Sequence, residues 1–119
     1  MIDFEEAGFY AKLKQVENNS YDALIGDFLV EKETILSCYK TKKDGVIFTD
    51  KRIITINCQG AFGKKKDFTS IPYSKITTFA LEVTMLELFV TSAGLVTFEF
   101  SSMEDGKEAY KTVSTYTLV

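Results

Sequence analysis

Short runs of hydrophobic and β-branched residues, divided by polar turn residues, fill the middle of the chain and predict a series of short β-strands. Seven runs rich in Ile, Val, Thr and Phe are separated by turn residues: 34–40, 45–50, 52–59, 65–73, 75–83, 86–92 and 95–100. Short strands at this spacing are typical of an antiparallel sandwich or barrel. In the last run Val96, Phe98 and Phe100 alternate with Thr97 and Glu99, so the first three side chains should face the core.

The residues that follow the last strand predict an amphipathic α-helix over 102–118. Ser102 and Asp105 have the spacing of a capping box. Apolar residues then recur every three to four positions: Ala109, Tyr110, Val113 and Tyr116. Because such a stripe needs an apolar surface to cover, we expect the helix to close one end of a small β-barrel rather than to hold a ligand.

The first 30 residues predict a separate helical segment ahead of the barrel. Asp3 and Glu6 have capping-box spacing. Apolar residues follow at roughly helical spacing: Phe9, Tyr10, Leu13 and Val16. The sequence Asn-Asn-Ser interrupts this pattern before a second short apolar stretch. We therefore expect one interrupted helix or a helical hairpin over 1–30, and a barrel with its capping helix over 31–119.

The composition indicates one globular domain that lacks the residues of common active sites. A chain of 119 residues with 45% hydrophobic residues is long enough to bury a core of its own. It contains no histidine, which removes Ser–His and Cys–His nucleophile pairs and the commonest zinc ligand. Cys38 and Cys58 lie in strands that a third strand should separate, so we expect free buried thiols. We expect no metal, no cofactor and no nucleic acid partner.

A catalytic role has little support in the sequence. Glu82, Glu87 and Glu99 fall on neighbouring predicted strands, where they suggest paired carboxylates. Glu99, however, alternates with the core-facing Phe98 and Phe100 and should point to solvent. We assign no catalytic residue and expect a protein that is not an enzyme.

Secretion and membrane insertion are not predicted either. No apolar run approaches the ~20 residues of a membrane-spanning helix. The acidic start of the chain lacks the basic and then apolar pattern of a secretory signal. We therefore expect a cytoplasmic protein.

The net charge of −3 conceals an uneven distribution of charge. The segment 38–75 contains nine basic and three acidic residues, a net charge of +6. The rest of the chain contains five basic and fourteen acidic residues, a net charge of −9. A dipolar protein of this kind attracts anions on one side, or attracts copies of itself.

One long segment resembles a known family. The sequence YKTKKDGVIFTDKRIITINCQGAFGKKKDFTSIPYSKI, residues 39–76, is similar to the signature of bacterial pleckstrin homology (PH) domains, and the looser resemblance extends over 29–118. It implies a strongly bent, seven-stranded antiparallel barrel capped by the C-terminal helix, without catalytic activity, in ring-forming homo-oligomers. Many relatives carry a longer acidic insertion between the fifth and sixth strands. Here the connection near Thr84 is tight; if the inserted loop helps subunits to meet, the assembly of this protein should differ.

Five lysines on two predicted loops are the candidate anion site: Lys42, Lys43, Lys64, Lys65 and Lys66. In a meander these loops, with Lys40 nearby, emerge at the same end of the barrel. The turn that contains Lys51 and Arg52 emerges at the opposite end and is expected to fix strand register. Because lysines lack the arginine fork that grips phosphate, we expect weak attraction to an anionic membrane surface rather than a selective phosphate site.

Two functions remain open at this stage. The leading hypothesis is an interaction scaffold that self-associates into a closed ring, with Phe4, Phe9 and Tyr10 as candidate contacts with a neighbouring copy. The alternative is an adaptor that binds anionic lipid head groups or a peptide through its basic loops or an open strand edge.

Overall fold

In the computed structural model, which describes residues 1–119, one eight-stranded sheet curls around the core. Its strands are β1 (Phe9–Val16), β2 (Ile35–Lys40), β3 (Gly45–Thr49), β4 (Arg52–Gln59), β5 (Lys65–Pro72), β6 (Ile76–Glu82), β7 (Met85–Val90) and β8 (Gly94–Phe100). The helices are α1 (Phe4–Ala7), α2 (Asp22–Ile25) and α3 (Met103–Thr117). The order across the sheet is β5-β4-β3-β2-β1-β8-β7-β6, and only the β1–β8 pair is parallel.

The predicted mainly β, barrel-like fold with its capping helix is confirmed. The seven predicted strands correspond to β2–β8, and their ends differ from the prediction by at most two residues. Val96, Phe98 and Phe100 are buried, as the alternation in β8 predicted. The β6–β7 connection is tight, because Glu82 pairs directly with Met85.

The C-terminal helix α3 closes the open end of the curled sheet. Its N-cap Ser102 accepts a hydrogen bond from the Asp105 amide at 3.1 Å, which satisfies one of the free amides of the first turn. Ala109 and Val113 are fully buried, and α3 also packs Tyr116 on Tyr73 with ring centroids 5.3 Å apart. None of the helices has the length and hydropathy needed to cross a membrane.

The N-terminal segment departs from the prediction, because Phe9–Val16 forms strand β1 and not a helix. Tyr10 and Leu13 both point into the core. A β-bulge lies between them, with Lys12 at φ 55° and a shift in the pairing with β8. The extra residue of a bulge changes the two-residue period of a strand into a three-residue spacing, which imitates a helix. Helical structure in this segment is limited to α1 and the turns over 22–28.

Strand β1 also joins the two halves of the sheet. Its first part pairs in parallel with β8, and its last three residues, 14–16, pair antiparallel with β2. The predicted boundary after residue 30 therefore does not separate a helical segment from the sheet, because the N-terminal residues supply one of its central strands.

Residues 21–29 cover the outer face of the sheet. A second core of five buried residues lies beneath them, apart from the main core of 19 residues: Ile25, Cys38, Ile47, Ile54 and Ile56. Gly45 permits this close packing, because a β-carbon at that position would lie 2.7 Å from the ring of Tyr21. Phe28 packs edge to face on Phe68 with ring centroids 5.0 Å apart. The segment is thus part of the folded unit.

A buried ion pair holds the turn between β3 and β4. Arg52 donates from Nε and Nη2 to the two carboxylate oxygens of Glu33, at 2.9 Å each. The Thr49 hydroxyl and the Val30 amide donate to the same carboxylate at 2.7 and 3.0 Å. Burial opposes ionisation, but the hydrogen bonds outweigh it and lower the pKa of Glu33 from its usual value of 4.5. Arg52 is therefore a structural residue, as expected for this turn.

Both cysteines carry free thiols. Cys38 is buried in the second core, and the loss of water around it raises the pKa of its thiol to about 11. Cys58 is half-buried, two strands away on β4.

Candidate anion-binding site

An open groove of about 860 Å³ lies between β1 and the turn that joins β2 to β3. We call it the lysine groove and define it by five exposed side chains: Lys12, Lys14, Lys40, Lys42 and Lys43. Phe9 and Asp44 also line it. A groove with five amines and one carboxylate has the charge of a site for an anion.

The groove exists because β1 and β2 separate. They pair only from Lys14 opposite Lys40 to the end of β1, and the bulge at Lys12 marks the point where β1 follows β8 instead. On the other side, β2 turns back at 41–44. Thr41 fixes this turn, because its hydroxyl accepts hydrogen bonds from two amides of the turn, at 3.2 and 2.9 Å.

The single acidic residue of the groove is already engaged. Asp44 accepts a hydrogen bond from the backbone amide of Cys58 at 2.9 Å. This contact ties the β2–β3 turn to β4. It leaves the Asp44 carboxylate within 4.0 Å of no lysine amine, since the ion pairs of the chain are Arg52–Glu33 and the Met1 amine with Asp67.

Two groove lysines face each other without a counter-charge. Lys14 and Lys40 are directly opposite in the antiparallel β1–β2 pair, where side chains on one face lie close together. Like charges at such positions destabilise a sheet. No acidic side chain pairs with either lysine. This arrangement therefore costs stability in the free protein.

The predicted lysines are divided between two places. Lys42 and Lys43 lie in the lysine groove. Lys64 lies on the β4–β5 loop, and Lys65 and Lys66 begin the edge strand β5, opposite Gln59 and Cys58. The two loops emerge at the same end of the sheet because each joins neighbouring antiparallel strands in one meander. They do not form one cavity, however, because β5 and β1 are separated by three strands.

Sequence reasoning missed Lys12 and Lys14. Both lie on β1, which was predicted as a helix far from the loops. The available signal was the alternation of polar residues with Leu13 over 12–14, which is too short to identify a strand next to a bulge.

Two of the three predicted oligomer contacts are buried. Phe4 is 5% exposed and Tyr10 is 1% exposed, and both belong to the main core. The Tyr10 hydroxyl donates to Asn57 Oδ1 at 2.6 Å, and burial raises the pKa of this phenol. The prediction for Phe4 and Tyr10 was wrong because α1 packs Phe4 into the main core and β1 turns Tyr10 to the same core. Phe9 is 55% exposed and remains available.

Phe9 begins a row of apolar side chains on the outer face of the sheet. Leu95 on β8 and Phe89 on β7 are directly paired, and Phe9 on β1 pairs with Thr97, two residues beyond Leu95. The three apolar side chains are each at least half exposed. We call Phe9, Leu95 and Phe89 the apolar row.

A model of the bacterial PH domain family matches residues 6–117. Two uncharacterized proteins of Bacillus subtilis are similar: YjqA is 41% identical over 58 residues, and YozO is 36% identical over 75 residues. These segments cover 49% and 63% of this chain. They span 46% of YjqA and 61% of YozO, less than two thirds of either relative.

Solved structures share the fold. A DUF1696 family protein with a pleckstrin-homology domain from Shewanella loihica has a TM-score of 0.78 and 25% identity, over 90% of this chain and 98% of that chain. A pleckstrin homology domain from Shewanella amazonensis has a TM-score of 0.67 and 29% identity, over 87% of this chain and 90% of that chain.

Proposed function

This chain belongs to the bacterial PH domain family, and on that premise we propose that it is a non-enzymatic module whose lysine groove binds anionic lipid head groups. The main support for this proposal is that Lys14 and Lys40 face each other without an acidic partner, in a groove with three further lysines. An anionic surface neutralises all five amines without having to match a rigid geometry.

The chemistry of lysine supports a charged surface over a single selective ligand. An ammonium group is a point charge on a flexible stem and lacks the bidentate geometry of a guanidinium. The only arginine of the chain, Arg52, is committed to Glu33. Each lysine close to an anionic membrane contributes ~1 kcal/mol, and this contribution falls with salt.

Reversing three charges in the groove tests this proposal. The variant Lys40→Glu/Lys42→Glu/Lys43→Glu should bind vesicles of phosphatidylcholine and phosphatidylglycerol more weakly than the wild type by a factor of at least about 100, because three attractions of ~1 kcal/mol each are lost and three repulsions are added. Vesicle co-sedimentation at ~50 mM salt measures the partition coefficient. The fold should persist, since Lys40→Glu places an acid opposite Lys14.

The matched control reverses the same number of charges elsewhere. Lys75→Glu/Lys107→Glu/Lys111→Glu changes exposed lysines outside the groove. Its binding should fall far less than that of the groove variant. Equal losses in the two variants, or a wild type that stays in solution with these vesicles, would exclude the groove as the binding site.

The apolar row supports a second function, self-association as a scaffold. Phe9, Leu95 and Phe89 form an exposed strip across three strands, and the uneven charge of the chain suits contacts between unlike surfaces of two copies. Such head-to-tail contacts close into a ring when the rotation permits.

The mass in solution tests self-association. We expect a discrete multimer in light scattering at both ~50 and ~500 mM salt, and a smaller species for Phe89→Ser/Leu95→Ser, because the apolar strip is lost. Phe62→Ser, which changes an exposed phenylalanine on the loop between β4 and β5, is the control. A 13.4 kDa monomer under both conditions would refute the scaffold.

A further inference from the structure

The loop between β4 and β5 exposes a phenylalanine that no part of the fold uses. Phe62 is 94% exposed, more than any other aromatic side chain of the chain. Its backbone has φ 64° and ψ 18°, a left-handed conformation that is unfavourable for residues other than glycine and asparagine. Neither packing nor backbone preference therefore explains a phenylalanine here.

The surroundings of Phe62 are basic. Gly60 and Gly63 flank it, both at positive φ, and bring the chain around in a single tight turn with a 3.2 Å hydrogen bond between them. Three exposed lysines follow: Lys64, Lys65 and Lys66. No acidic side chain pairs with any of them.

This loop is separate from the lysine groove but is linked to it through Asp44. It emerges at the same end of the sheet as the β2–β3 turn. The Asp44–Cys58 hydrogen bond of 2.9 Å connects the two, and Lys43 and Gln59 line one small cavity beside that bond. One end of the molecule thus presents eight unpaired lysines and one fully exposed aromatic ring.

We propose that Phe62 inserts into the interfacial region of an anionic membrane while the lysines at its base contact the head groups. This inference rests on the proposed function of the lysine groove and adds an apolar anchor to it. A single apolar side chain ringed by cations matches a surface that is anionic outside and apolar beneath. It does not match a protein partner, whose anchor sites are apolar patches shielded from water by a surrounding rim.

A single tryptophan reports on insertion directly. The chain contains no tryptophan, so Phe62→Trp provides the only indole signal. On vesicles of phosphatidylcholine and phosphatidylglycerol its emission should shift to the blue, and lipid-attached quenchers near the head groups should quench it. Phe89→Trp, on the apolar row, is the matched control and should keep its emission maximum.

Partition measurements distinguish the insertion of Phe62 from the binding of head groups by the lysine groove. Phe62→Ser should bind the same vesicles about tenfold more weakly, as expected for the loss of one buried aromatic side chain. Its affinity for the soluble polyanion inositol hexakisphosphate should stay at the wild-type value. The groove variant Lys40→Glu/Lys42→Glu/Lys43→Glu should lose affinity for both.

Each outcome decides the inference. A Phe62→Trp spectrum unchanged by vesicles that the wild type does bind would overturn insertion and leave the proposed function standing. An equal blue shift on vesicles of phosphatidylcholine alone would overturn the requirement for anionic lipid. A wild type that binds neither vesicles nor inositol hexakisphosphate would overturn both.

Discussion

Replacing Leu13 with alanine is expected to lower the free energy of unfolding by about 4 kcal/mol. Leu13 is fully buried in the main core although it lies close to the N-terminus. Truncation at such a site removes apolar burial and leaves a cavity, because the neighbouring elements relax only in part. The Leu13 carbonyl also accepts a hydrogen bond from the Ser101 amide at 2.9 Å. Because this bond holds β1 to the chain just after β8, the strand should move little to fill the cavity.

Urea denaturation of Leu13→Ala and of Lys14→Ala measures this effect. Lys14 is the exposed neighbour on the same strand, and Lys14→Ala should raise stability slightly, by less than about 0.5 kcal/mol, because it removes the repulsion with Lys40. If Leu13→Ala lowers the free energy of unfolding by only about 1 kcal/mol or less, residues 9–16 are not an integral strand of the barrel. By the same reasoning, removal of residues 1–28 should unfold the chain rather than release a smaller folded barrel.

Replacing Glu33 with alanine should cost about 3 kcal/mol, because Arg52 loses its partner in a largely buried position. The Glu33 side chain is fully buried and that of Arg52 is 21% exposed. Water reaches part of the guanidinium, which places the cost at the lower end of the range for buried pairs. The variant also leaves the Val30 amide without its carboxylate acceptor.

The contribution of Glu33 to the stability of the fold should decrease at acidic pH. The hydrogen bonds lower the pKa of Glu33 below 4.5 in the folded state, so the folded protein binds fewer protons there than the unfolded chain. The contribution of this carboxylate to stability is complete above that value and is lost as pH falls through the folded-state pKa. The stability difference between wild type and Glu33→Gln should therefore shrink below pH 4.5.

Glu31→Ala is the control for this ion pair, since Glu31 is exposed two residues away. In urea denaturation at neutral and at acidic pH, the free energy of unfolding of Glu31→Ala should be close to that of the wild type. If Glu33→Ala costs no more than Glu31→Ala, the ion pair contributes nothing measurable and the β3–β4 turn is held by its backbone alone.

Most of the fold was predictable from local patterns. Strands β2–β8 are short runs rich in Ile, Val, Thr and Phe, and turn residues mark their ends. The capping residue Ser102 and the apolar stripe after it identify α3 in the same way. These signals are short-range, so one sequence is enough to detect them.

Features that depend on distant parts of the chain were not predictable. The bulge at Lys12 gives β1 the apolar spacing of a helix. Because β1 was predicted as a helix, Lys12 and Lys14 were not assigned to the lysine groove. The partner of Arg52, Glu33, lies 19 residues away on an irregular segment. The pattern of charges along the sequence does not predict which acidic residue pairs with Arg52. The common end of the two lysine loops was inferred correctly, because it follows from strand order alone.

The most direct test of the central claim is to map where an anionic membrane contacts the protein. Amide chemical shifts of the isotope-labelled chain, recorded while bicelles of phosphatidylcholine and phosphatidylglycerol are added, provide this map residue by residue. The account predicts that the largest changes fall on 12–14, 40–44 and 60–66, and that they vanish at ~500 mM salt. Changes confined to the apolar row or to α3, or no changes at low salt, would contradict it.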